Sequence, residues 1–385
     1  MGCHFSCKTS CGPPSLEAVA LNGQPSKEKA ANGTSTPRVS LSNQKSVSPT
    51  PTSSLCNQKA VMEYVSLSHG SGRMPMVGLG TWTAKDEEME AALEMALQNG
   101  YRHIDTATDY HNEKVIGKVL ERWIKDGKVK REELFITTKL PVYGNRASDV
   151  EKWLKRSIDY LRCEYIDLYL IHVPFGFAKA DSVTFDADGK VALDNETDHV
   201  AMWKELEKQV EAGKAKAIGV SNFNKKQIKK LLAVAKIPPA NLQIENHIYL
   251  QQSDLVQFCH ANKISVTAYS PLGNPSLQGF FSKLGITKEI PNVLDCPEVV
   301  EISKRINRSP AQILLRYNIQ RGIAVIPKSI NSERQKQNIE LFDFKLTDED
   351  IQALRSLDRG EDGRIVRFEF FKGVYDHPEF PFKEA

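Results

Sequence analysis

From residue 62 onward, short apolar runs alternate with longer stretches whose apolar residues recur every three to four positions. The runs cover residues 76–81, 102–105, 134–139, 166–172, 217–221, 242–245, 264–269 and 323–328. Their shortness and near-continuous hydrophobicity suit strands buried on both faces, as in a parallel sheet. Stretches 86–99, 113–125, 149–161, 199–212, 225–234, 253–262 and 309–320 each carry one apolar stripe and predict helices covering such a sheet. Eight strand-like runs, most followed by a helix, within roughly 300 residues predict an α/β fold of the closed (β/α)8 TIM-barrel type. Residues 298–306 and 347–357 predict added helices. Residues 65–68 and 74–77, joined by His69-Gly70-Ser71-Gly72, predict an N-terminal β-hairpin. An open doubly wound sheet wants Gly-x-Gly-x-x-Gly after its first strand. Gly78-Leu79-Gly80-Thr81-Trp82-Thr83 lacks the third glycine.

Before residue 62 this pattern stops. Residues 1–61 are rich in Ser, Thr, Pro, Asn and Gly and poor in large apolar side chains, so they predict a disordered tail ahead of a single barrel domain, 62–385. Charge splits at the same place. The tail carries six Lys/Arg and two Asp/Glu, which leaves the remaining 324 residues at −1 out of a total of +3. The barrel region therefore has no basic bias towards nucleic acid. Of seven cysteines, Cys3, Cys7, Cys11 and Cys56 lie in the tail and Cys163, Cys259 and Cys296 are scattered, which is no disulfide framework and suits reduced thiols. No apolar run is long enough to span a bilayer, and no signal-peptide core follows Met1, so the chain reads as cytoplasmic. No metal site is expected. Asp186-Ala187-Asp188-Gly189 resembles the start of a calcium loop but has Lys190 where an oxygen ligand belongs, so it reads as a surface turn. Cys3, His4, Cys7 and Cys11 are too irregularly spaced for a zinc site.

Candidate chemistry collects at the ends of the apolar runs. Asp105, Lys139, His172, Ser221-Asn222, Gln243, Tyr269-Ser270 and Lys328-Ser329 each close a run, and Tyr110 follows Asp105 by five residues. In a parallel barrel all these positions fall on one rim, where sites in this fold are built.

These residues sit within Gly78-Leu79-Gly80-Thr81-Trp82, Arg102-His103-Ile104-Asp105-Thr106-Ala107 with Tyr110, and Leu168-Tyr169-Leu170-Ile171-His172-Val173-Pro174. They continue in Gly219-Val220-Ser221-Asn222-Phe223, Tyr269-Ser270-Pro271-Leu272-Gly273, and Ile326-Pro327-Lys328-Ser329 with Arg334 and Asn338. In this, residues 62–385 resemble the aldo-keto reductase family from end to end. The resemblance implies a monomeric NADPH/NADP+-dependent oxidoreductase, an alcohol dehydrogenase of the NADP+ type, acting on a small-molecule carbonyl substrate. Tyr110 then resembles the proton donor to the carbonyl oxygen, Lys139 its neighbouring lysine, Asp105 the carboxylate paired with that lysine, and His172 the group that orients the carbonyl. Physically, a phenol with a pKa of about 10 is a weak acid near neutrality, and a buried ammonium beside it is expected to lower that value. Ser221, Asn222 and Gln243 resemble the grip on the nicotinamide carboxamide, and Tyr269 the aromatic on which that ring stacks. Thr81, Trp82, Asp105, Ser270 and Leu272 resemble further cofactor contacts. Lys328, Ser329 and Arg334 resemble the clamp on the 2′-phosphate, and Gln337 and Asn338 the adenine contacts. Two fixed cations and a hydroxyl suit a dianion and so favour NADPH.

Trp82, Tyr110, His172 and Val173 form the implied substrate contacts. Val173, Asn246, Ile248 and Leu140-Pro141 depart from sugar-specialised relatives, and Phe368-Glu369-Phe370-Phe371 offers a different aromatic wall. Together they imply a wider pocket. A second reading uses the same fold as a cofactor-sensing accessory subunit of a membrane protein. Separately, Met1-Gly2-Cys3-His4-Phe5-Ser6 fits the myristoylation pattern at Gly2, with Cys3 available for a second acyl chain. Two chains, or one chain and a basic segment, would give a stable peripheral membrane anchor.

Overall fold

A computed structural model of the chain describes residues 62–70, 72–84 and 86–382. The tail, with its Gly2/Cys3 acylation pattern, lies outside the described residues. Two short antiparallel strands come first, β1 (Tyr64–Ser66) and β2 (Arg73–Pro75), with Val65 opposite Met74. The turn between them rests on the barrel wall. His69 Nε2 accepts the Ile218 backbone N–H at 3.2 Å, and Gly70, at φ +76°, passes so close to the Lys216 carbonyl that a Cβ would sit 2.4 Å from it.

Eight parallel strands follow: β3 (Leu79–Gly80), β4 (His103–Asp105), β5 (Phe135–Leu140), β6 (Ile166–Ile171), β9 (Ala215–Ser221), β10 (Asn241–Glu245), β11 (Ser265–Tyr269) and β12 (Ile323–Val325). Between β6 and β9 a loop carries a small antiparallel ribbon, β7 (Gly176–Phe177) with β8 (Leu193–Asp194). Each barrel strand pairs in parallel with its neighbour in the order β3-β4-β5-β6-β9-β10-β11-β12. The ends of that row also meet. Gly78 N–H donates to the Val325 carbonyl at 2.9 Å, Val325 N–H to Met76 at 2.8 Å and Gly80 N–H to Pro327 at 3.2 Å, which closes the barrel. Closure explains why the first apolar run, read as a strand over 76–81, is regular only at Leu79–Gly80. Residues before it spend their hydrogen bonds on the seam.

Helices cover the outside where the apolar stripes predict them. Glu113–Lys125 buries Val115, Ile116, Val119, Leu120 and Trp123, a spacing of three and four residues. Burying side chains of this size contributes about 1.5–3 kcal/mol each. Helix starts follow local chemistry: Asn224 with Gln227, Ser309 with Gln312 and Thr347 with Asp350 form reciprocal caps. The added helices Pro297–Ile306 and Asp348–Arg355 enclose a second core of Ile248, Val299, Ile302, Leu314 and Leu354, beside the main barrel core. Two helices escape the pattern, Leu277–Lys283 and Ser332–Ile339. The first holds a mid-helix Gly279 and the second is mostly polar, so neither shows an apolar stripe. The Asp186 side chain accepts the N–H groups of Asp188 and Lys190, both at 2.9 Å, in a surface turn.

Candidate active site

The run-closing residues converge at the C-terminal rim. Lys139, at the penultimate position of β5, is fully buried, and its ammonium donates to Asp105 Oδ1 at 2.6 Å and to the Thr106 carbonyl at 2.9 Å. Its third contact is the Tyr110 hydroxyl at 3.5 Å. Asp105 closes β4 and is itself 2 % exposed, and its second oxygen accepts from Gln243 Nε2 at 2.6 Å. An isolated charge here would be costly, so each group depends on the other. Burial pushes the Lys139 ammonium down from its ordinary range, while the Asp105 carboxylate pulls it back up.

Tyr110 is held by local structure. Thr108–Tyr110 form a 3-10 turn after β4, ended by His111 in the left-handed region at φ +57°. Thr108 Oγ1 ties this turn to strand β5 by donating to the Lys139 carbonyl at 3.1 Å. The ring stands edge-on to His172, centroids 5.6 Å apart. Contrary to the expectation that the ammonium lowers it, the phenol's pKa stands well above its ordinary value. Desolvation is the main cause, with the carboxylates of Asp105 and Asp109 adding to it. The hydroxyl therefore carries its proton throughout the neutral range. His172, just past β6, donates from Nδ1 to Asp109 Oδ2 at 3.2 Å.

Asn222 links three neighbours on the rim. Asn222 Nδ2 donates to the His172 carbonyl at 3.0 Å and to Ser221 Oγ at 3.1 Å, and its Oδ1 accepts from the Tyr269 hydroxyl at 2.8 Å. Asn222 and Ser270 hold left-handed conformations, φ +62° and +50°, so the chain turns sharply where β9 and β11 end. Thr81 Oγ1 donates to the Asp105 carbonyl at 2.9 Å. Leu272 is half-buried two residues beyond Ser270. Beyond β12, Lys328 and Arg334 are exposed, Ser329 and Gln337 are half-buried and Asn338 is buried. Asn331 caps the helix Ser332–Ile339 by accepting the Arg334 N–H at 2.9 Å. Trp82 is half-buried and joins Phe280 edge-on at 5.7 Å, then Phe370 at 5.6 Å and Phe368 at 6.0 Å from Phe370. Val173 is buried, with its carbonyl accepting Asn145 Nδ2 at 2.8 Å.

Two of the departures read as pocket-shaping lie elsewhere. Asn246 is buried between Gln251 and Arg321, donating to the Gln251 carbonyl at 2.7 Å and accepting from the guanidinium at 3.2 Å. Ile248 belongs to the second core. Both fill protein interior, so neither widens the pocket. Sequence reading passed over Asp109, Asn112 and Phe280. Asn112 locks the β4 loop by donating to the Thr81 carbonyl at 2.8 Å and accepting from Thr106 Oγ1 at 2.9 Å. For Asp109 the available signal was a carboxylate directly beside the candidate donor.

Among the described residues no helix is long and apolar enough to cross a membrane. Residues 76–359 match the model of the Aldo/keto reductase family. The chain is 43% identical over 331 residues to aldo-keto reductase family 1 member A1-A of Danio rerio, spanning 83% of this chain and 98% of that protein. Against aldo-keto reductase family 1 member A1 of Mus musculus it is 43% identical over 295 residues, 76% of this chain and 89% of the relative. The solved aldose reductase of Schistosoma japonicum superimposes with a TM-score of 0.74 at 38% identity, covering 83% of this chain and 99% of that one.

Proposed function

The chain belongs to the aldo/keto reductase family, and we infer that it reduces aldehydes or ketones to alcohols with NADPH, Tyr110 giving the proton. One observation carries this reading: a buried ammonium–carboxylate pair, Lys139 with Asp105, set directly behind a phenol on the barrel rim. When bound, the nicotinamide supplies a hydride to the carbonyl carbon. The carbonyl oxygen then needs a proton, and the Tyr110 hydroxyl holds one. Giving it up leaves a phenolate, which the Lys139 ammonium stabilises at close range in a desolvated site. Asp105 keeps that ammonium charged and in place.

The rim suits the cofactor. Among the described residues Gln243 Oε1 has no hydrogen-bond partner, since only the amide nitrogen is spent on Asp105. The Ser221 hydroxyl accepts from Asn222 and keeps its own proton to donate. An acceptor beside a donor matches a carboxamide. Tyr269, anchored by its hydroxyl, presents its ring for stacking. Lys328, Ser329 and Arg334 near a capped helix start match a phosphate dianion. Lys328 also neighbours the first strand, its Cβ 3.6 Å from where Gly80 would carry one. A monomeric, cytoplasmic enzyme is part of the same proposal. The accessory-subunit alternative gains nothing from the relatives named above.

The test is NADPH oxidation with a panel of aldehydes, ketones, sugars and quinones. Turnover of at least one class is expected, together with much weaker use of NADH. Tight NADPH binding with no turnover of any class would overturn the reading.

A further inference from the structure

His172 and Asp109 form a pair that the reaction as described leaves unused. Their side chains are 18 % and 23 % exposed, and Nδ1 lies 3.2 Å from Asp109 Oδ2. A carboxylate oxygen only accepts, so Nδ1 is the nitrogen that carries hydrogen. The opposite nitrogen, Nε2, has no hydrogen-bond partner among the described residues and is not sealed from solvent. Asp109 is fixed in turn by the 3-10 turn that also positions Tyr110, and its Oδ2 takes the Val142 N–H at 3.4 Å.

We propose that Asp109 is a positioning residue that locks His172 in the Nδ1–H tautomer, so that the neutral ring meets the substrate oxygen as an acceptor and can donate to it only as the imidazolium. The consequence is directional. A neutral ring with a bare Nε2 receives the hydroxyl hydrogen of an alcohol. A carbonyl oxygen offers no hydrogen, so a second donor beside Tyr110 exists only after Nε2 takes a proton from solvent. The Asp109 carboxylate then faces a cation and stabilises it. Reduction is therefore favoured by the imidazolium and alcohol oxidation by the neutral ring. The titratable groups around the ring are Asp109 and Tyr110 on the turn and, behind the phenol, Lys139 and Asp105 on their strands.

The proposal rests on the carbonyl-reduction reading, and its first test needs neither substrate nor cofactor. In full-length protein labelled with 15N-histidine, the His172 ring should show hydrogen on Nδ1 and a bare Nε2 when neutral. Asp109→Leu should release it, populating the Nε2–H tautomer. Asp109→Asn keeps an acceptor oxygen without the charge. It should retain the Nδ1–H tautomer and guards against a Leu variant that does not fold. An Nε2–H ring in the wild type, or a tautomer left unchanged by Asp109→Leu, would overturn the proposal. An Nδ1–H ring in a protein that turns over no carbonyl would count against the reductase reading alone.

Discussion

Two carboxylate–imidazole pairs at strand ends, among the described residues, differ in what they leave open. At the end of β10, Glu245 and His247 are fully buried, joined through Nε2 at 3.0 Å. The chain takes up both oxygens of Glu245, which accept the N–H groups of Ile365 and Val366 at 2.8 and 2.9 Å. Burial pushes this carboxyl up, yet the His247 hydrogen bond and charge, with Arg364 nearby, hold it below the usual carboxylate range. The other ring nitrogen, His247 Nδ1, is sealed without a partner. At Asp109 and His172 the other ring nitrogen has no partner among the described residues and is not sealed from solvent, and the ring stands edge-on to Tyr110. A carboxylate and an imidazole thus pin the C-terminal segment in one place and, in the proposed reaction, serve the substrate in the other. Access of the second nitrogen is what separates the two pairs.

Removing the pinned carboxylate gives the largest expected effect. Glu245→Ala leaves buried backbone N–H groups and His247 without their partner, and should cost on the order of 3–5 kcal/mol in a denaturant titration. A loss under about 1 kcal/mol would mean that the pair does not hold the C-terminal segment. On the open side, Tyr110→Phe should leave folding and NADPH binding intact and lower kcat by roughly two to three orders of magnitude, the scale of lost general acid catalysis. Aldehyde reduction near the wild-type rate would remove Tyr110 as the proton donor.

A third imidazole sharpens the contrast. His103 is buried inside the barrel, with Nδ1 donating to the Pro75 carbonyl and Nε2 beside Thr137 Oγ1, both at 3.2 Å. Burial pushes its pKa down to about 4, against the pull of Asp105. The unfolded chain takes up this proton near pH 6.5 while the folded one resists, so the stability due to the neutral ring is complete above 6.5 and is lost as pH falls towards 4. The loss amounts to about 3 kcal/mol. His103→Gln should flatten that part of the acid limb in denaturation curves taken from pH 7 to 4, and an unchanged limb would assign it to other groups. The smallest effect belongs to an exposed group. Arg334→Ala should weaken NADPH binding by about 1–3 kcal/mol and leave NADH nearly unchanged in a titration, since only NADPH carries the 2′-phosphate. Equal losses for both would take Arg334 out of the clamp.

Much of the architecture was legible because its signals are local. Apolar runs near-continuous in hydrophobicity marked the buried strands, and helix stripes such as that of residues 113–125 matched Glu113–Lys125 end to end. The helix Ser332–Ile339 was not legible, since its residues are mostly polar and its fold depends on packing Gln335 against the first helix, donating to the Ala92 carbonyl at 2.9 Å. Asn246 and Ile248 misled for the same reason. Their position after β10 suggested a pocket, and contacts with Gln251, Arg321 and the second core took them inside.

What the sequence determined by itself is where chemistry can sit. A parallel barrel brings every strand C-terminus to one rim, so a polar residue closing an apolar run is placed by its position alone. What only the tertiary structure decided is pairing and access. Asp105 meets Lys139 across 34 residues and Asp109 meets His172 across 63. Whether a ring nitrogen is sealed, as in His247, or open, as in His172, depends on which distant segment packs over it. Periodicity along a chain records which face of an element is buried. It carries no record of the partner that buries it, and the charge, tautomer and reactivity of a buried group are set by that partner.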